Sequence, residues 1–483
     1  MQSFRKALAL LTPGLLLTGC NMAPHMPRPA LPVPPDAQAL VAAGMGAKLP
    51  QTVLAAGAQE TPPVSWQTFF TDPRLRAVIT MALAKNQDLI LAVARMEQAR
   101  AQYHVQGSDL FPTISANASG DIERVPTGLS GLSSGVQGAS SRYNLYRAQL
   151  GVSAWEVDLF GRVRNLTRAA QETYFASAEN RRAAQVSIVA EVARGWLQLS
   201  ADREQLHIAR ETAETFAQTL AITKARAAMG VSSDLDVHQA ETTYQQAQAD
   251  VARLITATAQ DRNALDLLAG DHVDDALLPA GQDPQPQMLA NLPGGLSSNV
   301  LLKRPDVLAS EHQLLAANAN IGATRAAFFP NISLTAAFGS MSLGLSNLFQ
   351  DGSQAWSVQP SISLPILDEG RNAASLHYAK ATRDAMLATY RKTVQTAFRE
   401  VADALARRAT IDDQLGAQKQ RAAAAQAALA ISRARYQEGV DPFLTTLDSE
   451  RSAYTARQDV VTIRLEKQGN FVELFRALGG GLE

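Results

Sequence analysis

The alternation of apolar and polar positions changes period several times along this chain, and the changes recur. From Leu75 through Ile79, Ala82, Leu83, Leu89, Ala92 and Val93 toward Tyr103 the apolar spacing is that of a helix. Asp72-Pro73 supplies its start, as cap and first helical proline, and it is expected to stop near Gly107. After Phe111-Pro112 the period drops to two. Ile114, Ala116 and Ala118 alternate with Thr113, Ser115, Asn117 and Ser119, and Ala148, Leu150, Val152 and Ala154 alternate with Arg147, Gln149, Gly151 and Ser153. A Gly/Ser-rich stretch from Thr127 to Ser141 joins the two runs as a surface loop, so a β-hairpin is predicted over about 111–158. From Gly161 to Gly230 there is no proline and helix formers dominate. A second helix returns to Gly270, capped by Ser232 or Ser233, which gives a long antiparallel α-hairpin over about 161–270.

The same order then repeats. A helix from Asp306 to Ala327 ends at Phe329-Pro330. Ile332, Leu334, Ala336 and Phe338 alternate with Asn331, Ser333 and Thr335, and Val358, Pro360, Ile362, Leu364 and Ile366 alternate with Ser357, Gln359, Ser361 and Ser363. This predicts a β-hairpin over about 329–367 and an α-hairpin over about 370–479. A shift of 209 lays Gly161 on Gly370, Gly230 on Gly439, Glu191-Val192-Ala193 on Glu400-Val401-Ala402, Arg226 on Arg435 and Glu241 on Glu450. The repeats are therefore 66–270 and 301–483, with a proline-bearing linker over 271–300. A helix of about 65 residues would run on the order of 100 Å.

Four alternating strands of about 10 residues, flanked by Phe111, Tyr143, Trp155, Phe328, Phe349 and Trp356, suit the apolar band and aromatic girdles of a membrane β-barrel. A sheet in a soluble α+β domain alternates equally well. The membrane reading is favoured because both hairpins occupy equivalent points of a repeat whose other half is so long. Backbone in lipid must be paired without an open edge, which four strands cannot achieve alone. The chain is thus expected to oligomerise, three copies supplying 12 strands.

The N-terminus adds to this picture. Arg5 and Lys6 precede an apolar run ending in Leu17-Thr18-Gly19-Cys20, an export signal over 1–19. The tetrapeptide resembles the lipobox of bacterial lipoproteins, which implies lipidation of Cys20, the only cysteine; Asn21 after it favours the outer membrane. Residues 20–65 read as a lipid-anchored, proline-rich tether. A net charge of −1 leaves no footprint for nucleic acid. The seven histidines form no metal-ligand pattern, and no cofactor or enzyme site is expected. Gly131-Leu132-Ser133-Ser134-Gly135 matches G-x-S-x-G but sits in a loop between strands, away from any strand-to-helix elbow.

Several motifs together resemble the lipoprotein branch of TolC-like outer membrane factors, the NodT or OprM type. They are Trp155-Glu156-Val157-Asp158-Leu159-Phe160-Gly161-Arg162, Arg304-Pro305-Asp306, Ala326-Ala327-Phe328-Phe329-Pro330 and Leu364-Pro365-Ile366-Leu367-Asp368-Glu369-Gly370-Arg371. The resemblance, from Trp66 onward, implies a mainly α fold with a membrane β section: a homotrimer with a 12-stranded barrel and a periplasmic 12-helix barrel. It implies a lipid-anchored outer membrane protein reaching into the periplasm, the passive exit duct of a tripartite efflux pump for drugs or other small molecules. The implied partners are a periplasmic adaptor protein, an inner-membrane transporter and outer membrane lipid. Alternatives are the outer membrane component of a protein-secretion system, and a structural periplasmic coiled-coil lipoprotein.

In the resembled family the periplasmic helix tips close the duct. The matching tip runs from Tyr436 to Asp448, then Arg451, with Asp441-Pro442 as expected cap and first helical proline. Leu444 and Asp448 lie one turn apart, so threefold symmetry would stack an apolar ring on a ring of carboxylates that attracts cations. Asp236 matches the family's locking position, with Tyr436 and Arg451 as its expected partners. Thr445 departs from the second acidic ring of some relatives.

Overall fold

The structure, a computed structural model, describes residues 21–30, 32–33, 65–125, 141–281 and 298–480. The signal, Cys20, most of the tether, the 131–135 run and most of the linker lie outside these. The helices are α1 (Pro73–Lys85), α2 (Gln87–Ser108), α3 (Arg162–Ala228), α4 (Asp234–Ala269), α5 (Pro305–Ala326), α6 (Arg371–Gln437) and α7 (Phe443–Ala477). The strands are β1 (Ile114–Val125), β2 (Ser141–Glu156), β3 (Asn331–Ser342) and β4 (Gln354–Ser363). As the repeat requires, α3 and α6 are of equal length, 67 residues each. Each is bounded by glycines with left-handed backbone: Gly161 and Gly230 for α3, Gly370 and Gly439 for α6, with φ between 70° and 82°. A side chain would be strained there, which is why glycine marks these four boundaries.

The chain divides into two compact units. The first takes in residues 96–176 and 310–389 with the N-terminal residues up to Pro29. Its centre is one antiparallel sheet in the order β1-β2-β3-β4. Registered partners point to the same side, so rows can be followed across it. Ile114, Val152, Ala336 and Val358 form one row, and Ala116, Leu150, Phe338 and Trp356 the next. Ser115, Gly151, Ala337 and Ser357 share the opposite face with Asn117, Gln149, Gly339 and Ala355. In these rows one face is apolar, giving way to Ser340 and Gln354 in the row beyond Trp356, and it is exposed in the single chain, Trp356 by 76% and Phe338 by 63%. Arg147 pairs with Asp121 on the other.

Two details differ from expectation. Leu364 and Ile366 fall beyond β4, which ends at Ser363 before Pro365. A bulge between Val152 and Trp155, with Ala154 at φ 48°, shifts the register so that Trp155 joins Leu334 on the apolar face. Glu156 then falls opposite Ser333 and accepts two-point hydrogen bonds from Arg162, Nε 2.9 Å and Nη2 2.5 Å.

The first described residues are not a free tether. Arg28 pairs with Glu311 at 2.6 Å, Asn318 Nδ2 donates to the Pro24 carbonyl at 2.9 Å, and Arg325 donates to the Met22 carbonyl at 3.3 Å. While the chain moves back 6 residues (28 − 22), its contacts climb 14 along α5 (325 − 311). That climb is about 21 Å at helical rise, so the segment runs antiparallel along much of α5. The strap needs Gly322, where a Cβ would come within 2.7 Å of the Ala23 nitrogen.

The second unit comprises residues 30–95, 177–309 and 390–483. The helix expected from Pro73 to near Gly107 is broken, because Asn86 is extended and bends α1 from α2 by 41°. Its Oδ1 accepts from the Asp88 and Leu89 N–H groups, and its Nδ2 donates to the Leu268 carbonyl at 2.9 Å. The linker's first residues are docked: Trp196 Nε1 donates to the Leu277 carbonyl, and Val273 and Leu278 are buried. Arg304, nearly fully buried, meets Asp306 at 2.7 Å, Glu400 at 2.9 Å and the Ala477 carbonyl at 2.8 Å. Burial alone would lower its pKa, but these two carboxylates raise it.

Candidate functional site

The two hairpin turns of the second unit carry the residues expected to gate. They are built alike: Val231 N–H donates to the Arg226 carbonyl and Val440 N–H to the Arg435 carbonyl, both at 2.9 Å. These are the bonds of a left-handed C-terminal cap, made in both repeats by glycine. Beneath the turns, Leu220 and Ala240 of the first hairpin pack with Phe443 and Leu447 of the second, and Val237, Tyr244 and Tyr436 close the cluster.

Leu444 and Asp448 lie one turn apart on α7 and both are exposed. Asp236 has another occupation. Its carboxylate accepts from Ser233 N–H at 3.1 Å and from the Ser232 and Ser233 hydroxyls at 2.9 Å each, closing a capping box at the start of α4. Burial opposes its charge, but these bonds outweigh burial and hold its pKa below the usual carboxylate value. Arg451 donates to Thr243 Oγ1 at 3.3 Å, and the Tyr436 hydroxyl is buried without a hydrogen-bond partner among the described residues. Within one chain, then, Asp236 is bonded to its cap rather than to Tyr436 or Arg451. Asp441 is not the cap of α7: Pro442 takes that position, and Asp441 is clamped by Arg435 at 2.6 and 2.8 Å. A two-point charged bond outcompetes a single capping bond, and Arg435 holds the Asp441 pKa down.

Two residues not expected from the sequence complete the region. Glu450, one turn from Thr446, has a side chain only 1% exposed and accepts from Arg433 at 2.8 and 3.1 Å and from Thr219 at 3.3 Å. Burial raises its pKa, with Arg433 pulling the other way. Arg226 lies against the Tyr436 ring, 4.6 Å from its centre. The only sequence signal for either was the 209-residue register, which pairs Glu450 with Glu241 and Arg226 with Arg435. Among the described residues no cluster of metal-ligating side chains occurs.

The profile of the family described as outer membrane efflux protein matches residues 78–271 and 296–480, one segment for each repeat. The chain belongs to that family. Among outer membrane efflux proteins it is 41% identical over 478 residues to the antibiotic efflux pump outer membrane protein ArpC of Pseudomonas putida, covering 99% of this chain and 96% of ArpC. It is 39% identical to the outer membrane protein OprJ of Pseudomonas aeruginosa, covering 97% and 94%. The open-state structure of the Neisseria gonorrhoeae MtrE outer membrane channel superposes with a TM-score of 0.82 at 35% identity, over 96% of this chain and 99% of MtrE. The fold is thus that of the TolC-like outer membrane channels, and the family is one of efflux channels rather than of enzymes.

Proposed function

We propose that this chain is the outer membrane channel subunit of an efflux pump, and that three copies close its sheet into a 12-stranded barrel through which small molecules leave. The observation that carries the reading is the sheet itself. It carries an exposed apolar face across the rows of Ala336 and Phe338, and its outer strands β1 and β4 have no further strand beside them among the described residues. An exposed apolar face of this kind belongs in lipid, where unpaired strand edges are not tolerated; β4 of one copy must therefore meet β1 of the next. The long α-hairpins then line a periplasmic passage toward an adaptor protein and an inner-membrane transporter. Leu444 and Asp448, exposed at the hairpin tips, form its constriction, with Asp236, Tyr436 and Arg451 around them.

The strap supports lipid anchoring at Cys20. Met22 is bonded to Arg325, one residue from the end of α5, and β3 starts at Asn331. A lipid on Cys20, two residues before Met22, would therefore leave the protein close to the base of the sheet. The test is to purify the full-length protein from membranes, measure its oligomeric state, and record conductance in planar bilayers. Trimers that conduct are expected. A monomer without conductance would refute the channel, and absence of labelled palmitate, with Cys20→Ser behaving as the native chain, would refute the anchor.

A further inference from the structure

The 209-residue register between the two hairpin turns exposes a difference in charge beside an arginine that both turns carry. In the second turn Arg435 folds back onto Asp441 and is fully engaged there. The equivalents in the first turn are Arg226 and Ser232. Serine offers no charge, Asp234 makes no ion pair with Arg226, and the carboxylate one turn further on, Asp236, is held by its capping bonds to Ser232 and Ser233. Arg226 therefore leaves its own turn and reaches the other hairpin. Its guanidinium carbon lies 4.6 Å from the centre of the Tyr436 ring, and its Nη1 is 3.5 Å from the Tyr436 carbonyl oxygen. That carbonyl belongs to the last turn of α6, where the helix end favours a cation. Tyr436 is braced from elsewhere by Phe443, ring centres 5.4 Å apart, so the ring is presented as a fixed platform.

We propose that Arg226 is the latch between the two hairpin tips, and that it holds through the face of the Tyr436 ring and the α6 terminus rather than through the tyrosine hydroxyl. This rests on the reading of the tips as a gate. The hydroxyl has no partner among the described residues, so none of them is held by it. Arg226 stands at the end of α3 and Tyr436 at the end of α6, so tips that separate must part this pair. A guanidinium over an aromatic face of this kind favours the closed tip by roughly three- to tenfold. In a ring of three tips that open together the factors multiply, to about 30- to 1000-fold.

The experiment is conductance of the full-length protein in planar bilayers, read as the open fraction. Arg226→Ala is expected to raise it by at least about 30-fold, and Arg226→Lys by less, since a cation remains without the planar fork. Tyr436→Leu should match Arg226→Ala, and the double variant should add little to either, as expected of two partners in one contact. Tyr436→Phe keeps the ring and should open several-fold less than Tyr436→Leu. If Tyr436→Phe opens as far as Tyr436→Leu, the hydroxyl does the holding and the proposal is wrong. Leu444→Ser separates this from the gate reading. If Leu444→Ser conducts while Arg226→Ala stays closed, the gate stands and the latch falls; if neither changes conductance, both fall.

Discussion

Glu450 is a carboxylate that folding takes almost wholly out of water, and its charge is tolerable because Arg433 and Thr219 meet it. Deleting the cation alone would strand a buried anion, a change that costs about 3–5 kcal/mol. Arg433→Ala should therefore lower the stability of the helical region far more than Glu450→Gln, which removes the charge with the need for a partner; thermal unfolding of both variants checks the order. A second buried carboxyl behaves differently. Burial and the facing Asp202 push the Asp261 pKa from 3.8 up to about 7, and its Oδ2 meets no donor among the described residues. A proton shared between the two carboxyls would satisfy that atom. Because the native state holds this proton more tightly than the unfolded chain, the stabilisation is complete below about pH 4 and is lost as pH rises through about 7. Melting temperature should fall as pH rises from about 4 to about 7, and Asp261→Asn should flatten that slope. A variant with the native slope would show that the pair does not titrate there. Neither residue could be read from sequence. Glu450 and Glu241 stand at equivalent positions of the repeat, yet the side chain of one is 1% exposed and that of the other 43%. What separates them is the residue met in space, Arg433 for one and a loose contact with Lys224 for the other.

At the scale of elements the sequence was much more legible. The two 67-residue helices follow from an uninterrupted run of helix formers between glycines that can adopt a left-handed cap, and both signals are local. The strands follow from an equally local period of two. The breaks inside elements were not legible, because they depend on distant partners. Asn86 looks like an ordinary helical residue until the Leu268 carbonyl, 182 positions away, takes its Nδ2 and leaves its Oδ1 to cap α2. Asn86→Ala would lose both the cap and the tertiary bond, leaving a part-buried carbonyl unmet. A destabilisation of about 2 kcal/mol is expected, measured by chemical unfolding against the native chain. A loss under about 0.5 kcal/mol would mean that the kink is set by packing of α1 rather than by this residue. The bulge at Ala154 was hidden for the same reason: strict alternation continues through it in sequence while the pairing with β3 slips.

Across the whole molecule, the membrane reading comes down to which face of the sheet meets lipid, and two adjacent residues can decide it. Val358 shares the apolar row with Ala336, Val152 and Ile114, whereas Ser357 lies in the polar row with Ala337, Gly151 and Ser115. An arginine facing lipid near the middle of a barrel costs about 2–4 kcal/mol, while one facing a watery lumen costs little. In a threefold assembly every substitution occurs three times, so Val358→Arg would carry a penalty of roughly 6–12 kcal/mol per trimer, comparable to the whole stability of an ordinary domain. Val358→Arg should therefore be depleted from outer membrane fractions and form few trimers on semi-native gels. Ser357→Arg, with the same added charge one residue away, should assemble at near-native yield and alter conductance instead. Equal assembly of both variants would place Val358 away from lipid, and the barrel built on this sheet would have to be abandoned.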